Sequence, residues 1–364
     1  MKVAIVAPLV SAIREPQRGG SQAFVSDLAR GLVDRGHEVH LYAASGSELP
    51  GVRVVDTGVD PRALAATLYR ASGPAADGLA AAEAAFAAVY AAVGEARYDV
   101  VHNHAFDAPA ISLATRLRAP VVHTLHLPPD AAVADALRDA ARSDRAPTVA
   151  GVSACQASAW RQVVSVDAIL SPLVPTRLIR WSPSAREGAV FAGRLSPEKG
   201  AIEAIEIAQA AGVRIDVYGD SYDAEYTRER IDPRRADPGV AVHAGVPRTV
   251  IWEVIARAAV VLCPARWEEP FGMVAAEAQA CGTPVVAFRR GALDEVIVDG
   301  VTGFLVAPDD INAAADAVTR TSELSPSECR DHAESHLDLE LSLDAHEQLY
   351  RRVARAGVGA AIGG

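Results

Sequence analysis

Short apolar runs alternate with helical stretches along almost all of the 364 residues, and no other feature limits the possible folds as much. Lys2 to Pro8 reads as a strand and Arg14 to Gly20 as a loop ending in Gly19-Gly20. Ser21 to Arg35 reads as a helix with Phe24, Leu28 and Leu32 four apart on one face. Gly36 stops that helix and a strand resumes over Glu38 to Ala43, which completes a βαβ unit. Further strands are expected at Val52 to Val55, Asp99 to Asn103 and Val121 to Thr124, with alanine-rich helices between them such as Ala80 to Val93. After an irregular stretch from Ser165 to Glu187, carrying Pro172, Pro175 and Pro183, the alternation starts again. Strands are expected at Ala189 to Ala192, Arg214 to Gly219, Val240 to Ala244, Ala259 to Cys263 and Pro284 to Phe288, and helices at Ile202 to Ala211, Val250 to Ala258 and Met273 to Ala280. The last pattern, Leu343 to Val353, is an amphipathic helix. Strands that are apolar throughout and separated by helices belong to parallel sheets covered on both faces. The expected fold is therefore α/β, two doubly wound Rossmann-like domains facing a cleft, with ligands at the carboxyl ends of the strands. The expected boundaries are 1–170, 171–340 and a closing helix over 341–364.

Composition excludes several classes of function. Half the residues are hydrophobic and 22% are charged, enough apolar material for two packed interiors. The net charge of −11 gives no overall positive field to hold nucleic acid or an anionic membrane. No apolar run spans a bilayer and no secretory leader pattern opens the chain, so a cytoplasmic protein with soluble partners is expected. Cys155, Cys263, Cys281 and Cys329 form no Cys-x-x-Cys pair and are expected to be buried thiols. Of the 35 basic residues only Lys2 and Lys199 are lysine, which singles out Lys199.

Three stretches carry candidate chemistry. In Glu269-Pro270-Phe271-Gly272-Met273-Val274-Ala275-Ala276-Glu277, a proline-glycine loop follows an apolar strand and opens a helix. The loop carboxylate of Glu269 can face a ligand. Gly272 lets the backbone approach closely, the helix start offers free N–H groups to phosphate, and Glu277 suits the paired hydroxyls of a ribose. In Phe191-Ala192-Gly193-Arg194-Leu195-Ser196-Pro197-Glu198-Lys199-Gly200, Arg194 and Lys199 can both reach a diphosphate, the first as a planar fork and the second as a rotatable point charge, while Ser196-Pro197-Glu198 caps the helix that follows. The third is Gly19-Gly20, whose amides could take a phosphate. Four histidines, His102, His104, His123 and His126, lie near expected strand ends; they lack metal-ligand spacing, and His126 is the one expected to face the cleft.

These residues together resemble the family 4 retaining glycosyltransferases of GT-B fold. The likeness runs in order through Gly19-Gly20, Gly36-His37-Glu38-Val39, Asp99-Val100-Val101-His102, Gly193-Arg194 with Lys199-Gly200, Glu269 to Glu277, Gly282-x-Pro284, Glu295-Val296 and Asp299-Gly300-x-x-Gly303-Phe304-Leu305. The resemblance implies that Arg194 and Lys199 bind the donor diphosphate and stabilise it as leaving group. Glu269 would hold the donor sugar and support its reacting face, Glu277 the ribose, and Phe271, Gly272, Met273 and Val274 would supply amides. The base would lie near Gly219 and Val246, and His126 would be the catalytic-site histidine. The N-terminal domain would take the acceptor, the C-terminal domain the nucleotide sugar, and the final helix would cross back to the N-terminal domain. The chain departs from the family pattern at Pro172-Leu173-Val174-Pro175, at Ala265 and at Ala292. The implied activity is transfer of a sugar from a nucleotide diphosphate sugar, preferably UDP-linked, to a small soluble acceptor, with no metal or other cofactor. The arginine bias is similar to that of small actinobacterial members that decorate natural products. A GT-B epimerase or hydrolase, and a two-lobed sugar-binding protein without chemistry, are the competing readings.

Overall fold

The computed structural model describes residues 1–67, 78–181 and 186–362; Pro183 lies outside them. The chain forms two compact units. The first is drawn from Met1–Arg14, Ser21–Pro172 and Ser342–Gly364, the second from Glu15–Gly20 and Leu173–Leu341.

The first unit is built on seven parallel strands: β1 (Lys2–Val6), β2 (Glu38–Ala43), β3 (Arg53–Asp56), β4 (Val100–Asn103), β5 (Val121–Leu125), β6 (Thr148–Gly151) and β7 (Ala168–Ile169). Their order is β3-β2-β1-β4-β5-β6-β7, so the direction of winding reverses between β1 and β4. That switch point is where a crevice opens at the carboxyl end of a doubly wound sheet. The face of the Gly20–Asp34 helix that carries Phe24, Leu28 and Leu32 is fully buried, as the spacing of those residues requires. The helix Leu339–Ile362 joins this unit from Ser342 onward. It packs so closely that a Cβ added to Gly31 would lie 2.6 Å from Cδ1 of Leu343.

The second unit holds β8 (Ala189–Ala192), β9 (Ile215–Tyr218), β10 (Val240–His243), β11 (Val260–Cys263), β12 (Val285–Phe288) and β13 (Gly303–Val306), all parallel, in the order β10-β9-β8-β11-β12-β13. Its winding reverses between β8 and β11. Ile202, Ile205 and Ile207 of the Ala201–Ala210 helix fill one side of its core. A buried cation ties the end of this unit together: Arg330 donates to the carbonyls of Thr176, Ile179 and Ala280 at 3.0, 3.0 and 2.6 Å, and its Nε donates to Glu334.

Several elements depart from the sequence reading. The stretch Ser165 to Glu187 contains β7, a two-residue edge strand too short to show a period, and Val174 beyond it bridges to Asp338. β6, β13 and the helices Ala131–Ala140, Ala154–Arg161, Ile311–Arg320 and Pro326–His336 were not anticipated as elements. Ser196 does not cap a helix with its side chain. Pro197–Lys199 is a separate 3-10 turn, and the following helix starts behind Gly200 in a left-handed conformation. Cys155 is exposed, while Cys281 and Cys329 are buried and Cys263 is half-buried.

Candidate active site

The two motifs that the sequence set apart meet in the second unit. The 3-10 turn after β8 carries Lys199, and the loop after β11 carries Glu269. Lys199 Nζ donates to both oxygens of Glu269, at 3.0 and 2.8 Å, and sits 4.5 Å from the centroid of the Trp267 ring. Trp267 Nε1 donates to Glu269 Oε2 at 2.7 Å, so the carboxylate is held by a cation and an indole together. Arg194 stacks 4.4 Å from the centre of the Tyr222 ring and donates to Glu198 Oε1 at 3.1 Å, and the same oxygen accepts from Ser196 Oγ at 2.7 Å. Both cations therefore have internal carboxylate partners. Cys263 lies nearby, and burial first, then the Glu269 charge, pushes its thiol up to about 12; it is no nucleophile at neutral pH.

Gly272 stands at the N-cap of the Met273–Ala280 helix with a φ of 96°, a left-handed conformation that a side chain would strain. Ala275 and Ala276 donate to the Gly272 carbonyl, while the amides of Met273 and Val274 precede any acceptor the helix can offer. Phe271 is buried beside them. The Glu15–Gly20 loop clusters with this unit: the Arg248 amide donates to Glu15 at 3.1 Å, and a Cβ on Gly20 would lie 3.2 Å from Met273 Sδ. Gly19 immediately precedes it. Glu277 is only 5% exposed and is no solvated surface carboxylate. Its Oε1 accepts from Arg248 Nε and, at 3.0 Å, from Trp252 Nε1. At the ends of β9 and β10, Gly219 approaches so closely that a Cβ there would fall 1.9 Å from the Gly193 carbonyl oxygen. The Gly245 amide, next to Val246, donates to Asp220 at 2.9 Å and ties the two loops together.

The histidines belong to the first unit. His104 Nδ1 and His126 Nε2 are 2.9 Å apart, and His102 bonds Tyr350 Oη through Nδ1 at 2.6 Å and Thr124 Oγ1 through Nε2 at 2.7 Å. Asn103 donates to His123 Nδ1 at 2.8 Å. Burial holds all four below the ordinary histidine value, His123 at about 4 and His126 at about 3. A fifth member of the cluster, His346 at about 4, comes from the final helix. Among the described residues no group of three or more His, Cys, Asp or Glu could hold a metal ion, and no helix is long and apolar enough to cross a membrane. Residues 18–170 match the model for Glycosyltransferase Family 4, and residues 182–335 that for Glycosyl transferases group 1. A D-inositol 3-phosphate glycosyltransferase of Acidothermus cellulolyticus is 30% identical over 376 residues, with 88% of this chain and 82% of that protein covered.

The chain is a family 4 glycosyltransferase.

A second relative of this family, the D-inositol 3-phosphate glycosyltransferase of Mycolicibacterium paratuberculosis, is 31% identical over 368 residues, covering 87% of this chain and 81% of its own length. Sucrose-phosphate synthase from Thermosynechococcus elongatus shares the fold with a TM-score of 0.77 at 21% identity, covering 98% of this chain and 99% of that one. Anabaena HepE, solved with UDP and glucose, has a TM-score of 0.73 at 21% identity and covers 96% and 99%. As a GT-B glycosyltransferase the protein carries two Rossmann-like sheets. Three residues around the family motifs escaped sequence reading: Trp267, Arg248 and Tyr222. Each lies near a motif side chain in space, and none forms a recurring spacing with it; only Trp267, two residues before Glu269, was close enough in sequence to be noticed.

Proposed function

We propose that the protein is a retaining hexosyltransferase that moves a sugar from a nucleotide diphosphate sugar, UDP-linked by preference, to a small soluble acceptor. The observation that carries this reading is the junction of Lys199, Glu269 and Trp267 beside a helix start with free amides. On donor binding, the diphosphate takes Lys199 and Arg194 from their carboxylate partners, and the Met273 and Val274 amides accept the remaining charge. Glu269, released from Lys199 but still held by Trp267, turns to the sugar and supports its reacting face as positive charge develops. Charge leaving with the diphosphate meets cations and amides already in place, an electrostatic rather than covalent strategy. Glu277 recognises the ribose, Gly219 and Val246 border the base, the amides of Gly19 and Gly20 face the phosphates, and His126 serves the reacting sugar. The first unit takes the acceptor. The UDP and glucose in the HepE structure support a UDP-linked donor, and the two curated relatives are named for D-inositol 3-phosphate; a natural product is the acceptor class favoured here. Incubation with UDP-sugars, with and without an acceptor pool that includes D-inositol 3-phosphate, tests the reading by product analysis. Transfer that requires acceptor and retains the anomeric configuration is expected. Epimerised or hydrolysed donor without acceptor would replace it with the epimerase or hydrolase reading.

A further inference from the structure

His104 and His126 follow the carboxyl ends of neighbouring strands, β4 and β5, whose register pairs Asn103 with His123. Phe24 lies 5.7 Å from the His104 ring and 6.0 Å from the His126 ring, and Phe106 lies 6.0 Å from His126 on another side. The two imidazoles are neutral at pH 7, so their 2.9 Å contact contains one proton, and one ring must donate while the other accepts. If His126 donated from Nε2, His104 would carry its own proton on Nε2. That atom is fully buried and has no hydrogen-bond partner among the described residues. A buried N–H without an acceptor is much rarer than a buried lone pair, and the penalty biases the pair roughly 5- to 150-fold toward the other arrangement. His346 obeys the same preference. Its Nδ1 faces the Ser342 carbonyl at 2.7 Å, which can only accept, so its own unpartnered Nε2 is also a lone pair.

We infer that His104 is a positioning residue that fixes the tautomer of His126: His104 Nδ1–H donates to His126 Nε2, and His126 therefore carries its proton on Nδ1. This nitrogen makes no hydrogen bond within the described residues. His126 thus offers its ligand a hydrogen-bond donor and has no free lone pair with which to abstract a proton, so it orients a sugar or acceptor oxygen and does not act as a general base. His102, whose ring centroid lies 3.9 Å from that of His104 at a 38° tilt, and Phe24 keep the second ring in place. The role of His104 in turnover rests on the glycosyltransferase reading; the tautomer does not.

Histidine-selective 15N labelling of the full chain, with multiple-bond 1H–15N correlation at pH 7, reads the tautomer directly, His126→Gln identifying the signal. The proton is expected on Nδ1 of His126. His104→Asn, whose amide can still donate, should keep that pattern and a kcat within about threefold of the parent; His104→Leu should mix the tautomers and lower kcat about tenfold or more, with donor KM changed less than about twofold. A proton on Nε2 of His126 in the parent, or an unchanged His126 spectrum in His104→Leu, overturns the inference. Absence of sugar transfer by the parent chain would overturn the functional reading and leave the tautomer measurement standing.

Discussion

Five buried histidines should make the first unit acid-labile well above the pH at which carboxylates titrate. His102, His104, His123, His126 and His346 are all held neutral by burial, with His123 pushed down to about 4, His126 to about 3 and His346 to about 4. In the unfolded chain each returns to an ordinary value of about 6.5. Below pH 6.5 the unfolded state therefore binds protons that the folded state refuses, and folding stability falls as pH falls. The contribution is fully present above pH 6.5 and is lost progressively down to the folded values. Each ring costs about 1.4 kcal/mol per pH unit once well below 6.5, hence about 2 kcal/mol at pH 5 and roughly 10 kcal/mol for all five. That is comparable with the whole stability of a typical domain, about 5–15 kcal/mol. Urea denaturation at a series of pH values from 7.5 to 5, with hydrogen exchange read by mass spectrometry, should show protection lost in β4, β5 and the Leu339–Ile362 helix before it is lost in β8 to β13. His123→Asn should lower the slope of stability against pH by about 1.4 kcal/mol per unit, whatever it does to stability at pH 7. A flat profile between pH 7 and 5, or equal loss in both units, would refute the reasoning.

Four other outcomes are expected. Glu277→Gln leaves Arg248, whose side chain is 11% exposed, without its carboxylate, and should cost about 3–5 kcal/mol in urea denaturation, whereas replacing both residues with Met should recover most of it; no recovery would show that the pair is not the cause. Lys199→Ala should weaken UDP binding roughly tenfold to a hundredfold in calorimetry through loss of one charge-assisted contact, and unchanged affinity would remove Lys199 from the donor site. Glu269→Gln should lower kcat more than donor affinity, and a normal kcat with a raised donor KM would make it a specificity residue only. Arg330→Met removes the charged donor shared by three buried carbonyls, of which Thr176 keeps the Ile179 amide, and should destabilise the second unit by about 3–5 kcal/mol, checked by the same denaturation.

The sequence disclosed what is local and periodic. Ala189–Ala192 and Met273–Ala280 coincide with their expected bounds because glycine or a polar turn marks both ends, and Glu38–Ala43 does so because Gly36 stops the preceding helix. β7 was not legible, since two residues carry no period, and β13 was seen only as a motif. In the candidate site, the conspicuous Lys199 and the Glu269 loop were both visible, but their direct ion pair spans 70 residues of sequence and has no signature. The partners of Glu277 were hidden for the same reason. His346 and Tyr350 joined no motif at all, because their neighbours lie on strands more than 200 residues earlier.

That separation in sequence has a consequence for how the molecule is made. The first unit leaves the ribosome with β1 to β7 complete by residue 172, yet its histidine cluster lacks Tyr350 and His346, and the surface at Gly31 lacks Leu343, until about 170 further residues have emerged. The second unit, by contrast, draws nearly all its contacts from one continuous stretch and can close on itself first. Early in synthesis the polar edge of His102 and the apolar seat of the final helix are open to other chains, and an isolated fragment 1–172 is expected to bind hydrophobic dyes or aggregate. Supplying a peptide of residues 339–362 in trans should restore its order, much as a missing strand is donated between subunits in complementation systems.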